Sequence, residues 1–200
     1  MKKIGITGTI ASGKTSFCIL LKRRGLAVFN SDRYAAMCLH ASHPAMKQIA
    51  AFFPEVVDKN GDADKKKLST FVFTDDKKRK QLNEIVHPYV IAGMDHFFAS
   101  HADMPIVCAE VPLLYEAGIE DMFDEVVVVT CEKETAVKRM MEDREYSREE
   151  AENRYASQIA PEEQCEKADI VIHNDSDLKA LDHEVNLLMR HLRSRRGHDA

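Results

Sequence analysis

The chain has 200 residues, enough for one core with excursions and too few for two independent α/β folds. With 44% hydrophobic and 30% charged residues it falls outside the fibrous and disordered classes. A formal net charge of -5 argues against non-specific nucleic-acid binding, which draws on a basic excess, so any anionic ligand has to be bound locally.

The first expected element is a strand at Ile4–Thr7, with no apolar leader before it. No later apolar run reaches the ~18 residues of a membrane span, so the expected location is the cytoplasm. A helix follows that runs to Arg24 and is ended by Gly25, then a second apolar run at Leu26–Phe29. The next 75 or so residues far exceed the dozen a crossover needs, which marks an insertion. Within it, residues 32–101 have helical spacing (Met46, Ile49, Ala50, Phe53; Leu82, Ile85, Val86), with breaks expected at Pro44, Pro54, Asn60-Gly61 and Pro88. Further strands are expected at Ile106–Ala109, Val126–Thr130 and Ile170–Ile172, giving a parallel five-stranded sheet with crossover helices. Residues 139–166 carry few large apolar side chains, which suits a mobile lid. A last helix, Leu178–Leu192, places Leu181, Val185, Leu188 and Leu192 on one face for the sheet. The basic stretch Arg190–Arg196 reads as a solvated helix end rather than a nucleic-acid patch. Five scattered cysteines, odd in number, suggest neither a disulfide framework nor a zinc site.

Residues Gly8-Thr9-Ile10-Ala11-Ser12-Gly13-Lys14-Thr15 match G-x-x-x-x-G-K-[ST] between a strand and a helix, the context in which this motif cradles phosphates. Consecutive backbone N–H groups curl around an anion, Gly8 and Gly13 allow the close approach, and the helix N-terminus adds a favourable dipole. Lys14 brings a mobile charge to the β- and γ-phosphates and Thr15 a hydroxyl for magnesium. Ala11, Ser12 and Ser16 belong to the same expected ATP site. Guanine selection by N-K-x-D is absent. Asp58-Lys59-Asn60-Gly61 fits D-x-x-G formally but lies between helical segments and reads as a turn. No apolar run ends in Asp-Glu; Glu110, after Ile106–Ala109, comes nearest.

Asp32 follows the second apolar run, at the strand end where open α/β sheets bind ligands. There it either takes the proton of an attacking hydroxyl or holds a magnesium-bound water, and a first-turn acid complementing its own helix dipole is the competing reading. With this residue in place the chain resembles dephospho-coenzyme A kinases along essentially its whole length. The family's T-G-G-I-G-S-G-K appears as Thr7-Gly8-Thr9-Ile10-Ala11-Ser12-Gly13-Lys14, its D-A-D as Asn30-Ser31-Asp32, and its V-P-L-L-[FY]-E as Val111-Pro112-Leu113-Leu114-Tyr115-Glu116. His87-Pro88, Ser147, Gln158, Ala168-Asp169 and Asn174 also stand in the family's order. Two loop glycines are replaced, by Thr9 and Ala11, one acid by Asn30, and the lid's R-x-x-x-R-D by Arg139-Met140-Met141-Glu142-Asp143-Arg144.

The resemblance implies a P-loop NTPase fold of three layers, α/β/α, in one kinase domain of residues 1–200, with a helical acceptor-binding insertion at 32–101 and a helical lid at 139–166. It implies ATP as donor, Mg2+ at Thr15 and Asp32, and dephospho-coenzyme A as the small-molecule acceptor, phosphorylated at its ribose 3′-hydroxyl. Lys14, Asp32, Arg139 and Arg144 take the catalytic roles, His87, Pro112, Leu113, Leu114 and Glu116 the acceptor, and Asn174 a place near the adenine. From the residues alone, Val111–Leu114 also fits core at a strand exit, His87 a helix break, and Asn174 a turn. Another small-molecule or nucleoside-monophosphate kinase, or a catalytically weak ATP-binding module, stays open as an alternative. For the lid, the expected helix end lies near Asp143, leaving Arg144 in the following turn.

Overall fold

The structure is a computed structural model that describes residues 1–73 and 75–194, apart from the side chains of Val72, Phe73, Asp76 and Arg144. In chain order its elements are β1 (Lys2–Gly8), α1 (Lys14–Arg23), β2 (Ala27–Asn30), α2 (Ser31–Met37), α3 (Ala45–Phe52), α4 (Lys65–Phe73), α5 (Asp76–Ser100), β3 (Ile106–Glu110), β4 (Glu125–Thr130), α6 (Lys133–Arg144), α7 (Arg148–Ala156), α8 (Pro161–Glu166), β5 (Ile170–His173) and α9 (Leu178–Ser194). They form two compact units, one of Met1–Phe29 with His101–Ala200 and one of Asn30–Ser100.

The first unit is the sheet. Its strands lie in the order β2-β3-β1-β4-β5, with β1 parallel to β3 and β4, and β4 parallel to β5. Every residue of β3 and β4 is buried, as expected when helices cover both faces of a parallel sheet. Residues two apart share a face, so Ile4 and Ile6, Ile106 and Cys108, Val127 and Val129 line one side together. Phe17, Leu20 and Leu21 of α1 and Leu181, Val185, Leu188 and Leu192 of α9 close over them. Each such side chain contributes about 1.5–3 kcal/mol by leaving water. Leu21 has no exposed surface, and its truncation to alanine would cost about 2–5 kcal/mol.

Helix α1 ends as its sequence predicts. Gly25 takes a φ of 83°, its N–H donates to the Lys22 carbonyl at 3.0 Å, and the Leu26 N–H reaches back to Leu21 at 3.2 Å. Only glycine adopts that angle without strain, and the two bonds satisfy the helix's last carbonyls.

The second unit is helical and has its own core of Met46, Ile49, Phe53, Val56, Leu68, Ile85 and Val86. Breaks fall at Pro44, which precedes α3, and at Pro54, which opens a short 3-10 turn. Residues 58–61 form the expected turn: the Asp58 side chain accepts from Asn60 N–H at 2.7 Å, and Gly61 has a φ of 82°. At Pro88 the expectation fails, because α5 runs through it. A proline removes one helical donor, and here His87, Pro88 and Glu84 are all exposed, so the carbonyl that loses this donor lies on a face open to solvent while Ile85 and Val86 remain anchored in the core. On the same helix a side chain at Gly93 would overlap the Tyr34 ring, so this glycine lets α2 lie against α5.

Candidate functional site

Strand β1 lies between β3 and β4, and the crossovers on its two sides run in opposite directions. Open α/β sheets bind ligands at the carboxyl ends of the strands around such a switch point. The loop that leaves β1 there is Gly8–Lys14, and it opens α1.

Both motif glycines are sterically required. Gly8 has a φ of 139° and pairs with Val129; a Cβ there would overlap the Val129 carbonyl oxygen. Gly13, with a φ of 91°, is the N-cap of α1, and a Cβ would overlap the side-chain amide of Asn174. Between them Ala11 has a φ of 57°, in the left-handed region that costs a residue with a Cβ about 1–2 kcal/mol. Its neighbours supply the compensation. The Arg139 guanidinium donates to the Ala11 carbonyl at 3.3 Å, and Ile10 and Ala11 pack against Val137, Met140 and Ala151 of α6 and α7.

Asn174 is buried, and its amide nitrogen donates to the Ser12 carbonyl at 2.7 Å. Carbonyl and N–H of one trans peptide point in opposite directions, so fixing the Ser12 carbonyl turns the Gly13 N–H to the other side of the loop. Arg139 holds the Asn174 carbonyl at 2.9 Å and so braces both supports at once. The Lys14 ammonium folds over the start of the loop, donating to the carbonyls of Gly8 at 2.8 Å and Thr9 at 2.6 Å. Ser12 is fully buried, while Thr15 and Ser16 are exposed on the first turn of α1.

The Thr15 hydroxyl donates to Glu110 at 2.9 Å. Glu110 is buried at the end of β3, beside β1. One turn along α1 the Cys18 thiol also bonds this carboxylate; its burial first, and the Glu110 charge second, push its pKa well up and keep it protonated. Sequence reading gave Glu110 no place in the site. Its one signal was its position at the end of an apolar run, and only the strand order brings it to Thr15.

The other expected residues lie as follows. Asp32 is exposed in the first turn of α2, whose N-cap Asn30 accepts from the Arg33 N–H at 2.7 Å. Capping needs only a side-chain oxygen, which explains why asparagine is tolerated there. His87 is exposed on α5. In 111–116, Leu113 and Glu116 are exposed and the Pro112 carbonyl accepts from the Thr7 hydroxyl at 3.2 Å. Leu114 has no exposed surface and lies where a side chain on Gly5 would meet it at 2.8 Å, so it packs as core and does not present itself to an acceptor. Helix α6 continues one residue past the expected end: Arg144 is its last helical residue, and Glu145 caps it with a φ of 55°. Arg144 therefore follows the helical turn instead of lying in the loop beyond.

The dephospho-CoA kinase family model, CoaE, matches residues 2–180. A dephospho-CoA kinase of Listeria monocytogenes is 34% identical over 189 residues, covering 92% of this chain and 94% of the relative. One from Fusobacterium nucleatum is 37% identical over 178 residues, covering 89% and 92%. The crystal structure of TT1252 from Thermus thermophilus superposes with a TM-score of 0.82 at 32% identity, covering 96% of this chain and 97% of that one. The likeness spans the phosphate loop, the sheet and the helical unit together, and the chain belongs to the dephospho-CoA kinase family.

Proposed function

We propose that this protein transfers the γ-phosphoryl group of ATP to the ribose 3′-hydroxyl of dephospho-coenzyme A, giving coenzyme A. The observation that carries this reading is a complete phosphate loop, braced from behind, in a chain that matches the kinase family from residue 2 to 180. Phosphoryl transfer asks little covalent chemistry of the protein; it requires positioning and charge. The loop's N–H groups, with the Gly13 N–H directed by Asn174, receive the β-phosphate, and Lys14 moves from its carbonyl anchors to the β- and γ-oxygens. Arg139 keeps the loop in shape, and Arg144 brings a second cation to the phosphates.

Asp32 takes the proton of the attacking hydroxyl. Magnesium fits the oxygens present: the Thr15 hydroxyl and the Glu110 carboxylate, 2.9 Å apart, are hard donors of the type this ion takes. When bound it neutralises charge on the β- and γ-phosphates. We assign acceptor recognition to the helical unit, with its His87, and to Pro112, Leu113 and Glu116 after β3 of the sheet unit, and residues 139–166 act as the lid. All five cysteines are free thiols, which suits a reducing compartment, and we place the protein in the cytoplasm.

The test is mass spectrometry of a reaction containing ATP, magnesium and dephospho-coenzyme A, with adenosine and the nucleoside monophosphates as rival acceptors. Coenzyme A as the main phosphorylated product is the expected result. Preferential phosphorylation of a nucleoside monophosphate would overturn the acceptor assignment.

A further inference from the structure

The tip of the phosphate loop is held from a part of the chain far from it in sequence. The Gln158 side-chain oxygen accepts from the Ile10 N–H at 2.7 Å, across 148 positions. Gln158 sits just beyond α7, and α7 packs with α6 around Val137, Met140 and Ala151, the cluster on which the side chains of Ile10 and Ala11 rest. Arg139, from α6, takes the Ala11 carbonyl at 3.3 Å. Two consecutive loop residues are thus tied to the α6–α7 pair by one hydrophobic contact and two hydrogen bonds of opposite sense, one accepting and one donating. These bonds fix how the Ile10 and Ala11 peptides are turned. The direction in which the next N–H groups face is then set before any anion arrives.

We propose that Gln158 is a positioning residue for triphosphate binding: by accepting the Ile10 N–H it sets the tip of the phosphate loop in its receiving curl and links nucleotide affinity to the seating of the α6–α7 pair. An amide side chain suits this task. Its oxygen accepts strongly, and unlike a carboxylate it adds no negative charge beside a bound polyphosphate. Free Ile10 N–H would leave the left-handed Ala11 with its carbonyl bond as the remaining polar tie to these helices. The proposal rests on the kinase reading only in taking ATP as the ligand.

The experiment measures amide exchange at Ile10 together with calorimetric affinities for ATP and for AMP. It compares wild type with Gln158→Met, which keeps the size and removes the acceptor, Gln158→Asn, which falls one methylene short, and Gln158→Glu, which restores an acceptor. Neither readout involves phosphoryl transfer, so the outcome is separate from whether the acceptor is assigned correctly. The methionine and asparagine variants should exchange Ile10 about threefold faster or more and bind ATP about three- to tenfold more weakly, the range of one lost net hydrogen bond. AMP affinity should stay within about twofold, and the glutamate variant should keep Ile10 protected. Unchanged Ile10 exchange in both acceptor-deficient variants, or an equal loss of ATP and AMP affinity, would overturn the proposal. A merely structural side chain would lower the melting temperature without separating the two nucleotides.

Discussion

Replacing Asn174 by aspartate alters one atom's chemistry at almost constant shape, and the structure fixes the consequence. A carbonyl oxygen can only accept, so the group 2.7 Å from Ser12 O has to be the amide nitrogen. In the variant a carboxylate oxygen faces that carbonyl inside a site where the residue is 6% exposed. The lost hydrogen bond accounts for about 1 kcal/mol, and the buried acceptor left without a donor for a further 1–3 kcal/mol or so. Arg139, already bonded to the backbone carbonyl of residue 174, attracts the new charge and keeps the sum near 2–3 kcal/mol. For a chain of this size that lowers the melting temperature by about 4–12 °C.

The sign of the pH dependence follows from the same geometry. Burial and the facing carbonyl raise the aspartate pKa in the folded state above its unfolded value of about 3.9. The penalty is therefore complete above the folded pKa, shrinks as the pH falls through it, and vanishes below about 3.9, where a protonated carboxyl donates to Ser12. Thermal unfolding at pH 7.5 and 5.5 checks both parts, with Asn174→Ala as the control whose deficit does not depend on pH. A variant melting within about 1 °C of wild type at neutral pH, or a deficit that stays constant on acidification, would refute the account of Asn174 as the loop's internal support.

What the sequence made legible was local. The eight-residue phosphate motif, the strand runs and the Gly25 helix stop each depend on neighbours within a few positions, and each appears where expected. Less legible was anything that depends on partners across the chain. Asn174 looked like a turn residue or an adenine contact, and the donation of its amide nitrogen to Ser12, 162 positions away, could not be read from its neighbours. Glu110 reaches Thr15 because β3 and β1 are adjacent, which apolar runs alone do not order. Leu114 lies in a motif that suggested acceptor contact, but the room above Gly5 draws it into the core. The charged composition of 139–166 also concealed Met140 and Ala151, which together with Val137 just before that segment seat Ile10 and Ala11. At Pro88 the local rule was overridden, since buried Ile85 and Val86 outweigh one missing hydrogen bond on an exposed face.

Lys14→Ala and Asp32→Asn should each lower turnover by about 10²-fold or more while the melting temperature stays close to wild type; Asp32→Asn turning over within about threefold of wild type would remove it as the base. Gly8→Ala should prevent stable folding or lower stability by more than about 3 kcal/mol, because the new methyl meets a backbone carbonyl that β1–β4 pairing holds in place. Circular dichroism melts decide that case, and a wild-type-like melt would contradict the β1–β4 register at Gly8. The last prediction concerns the pair that braces the loop. Arg139 holds the carbonyls of Ala11 and Asn174 with one forked guanidinium, and Asn174 holds Ser12, so the two side chains support the same backbone and should not act independently. In a double-mutant cycle on ATP affinity, Arg139→Ala and Asn174→Ala should each weaken binding, and the double variant should fall short of their sum by about 0.5 kcal/mol or more, because the second removal finds the loop already released. Arg139→Lys should resemble Arg139→Ala, since a single ammonium on a flexible stem does not reproduce the planar fork that spans two carbonyls. Strict additivity, together with full rescue by lysine, would mean that Arg139 serves the nucleotide by charge alone and that the contacts behind the loop are incidental to binding.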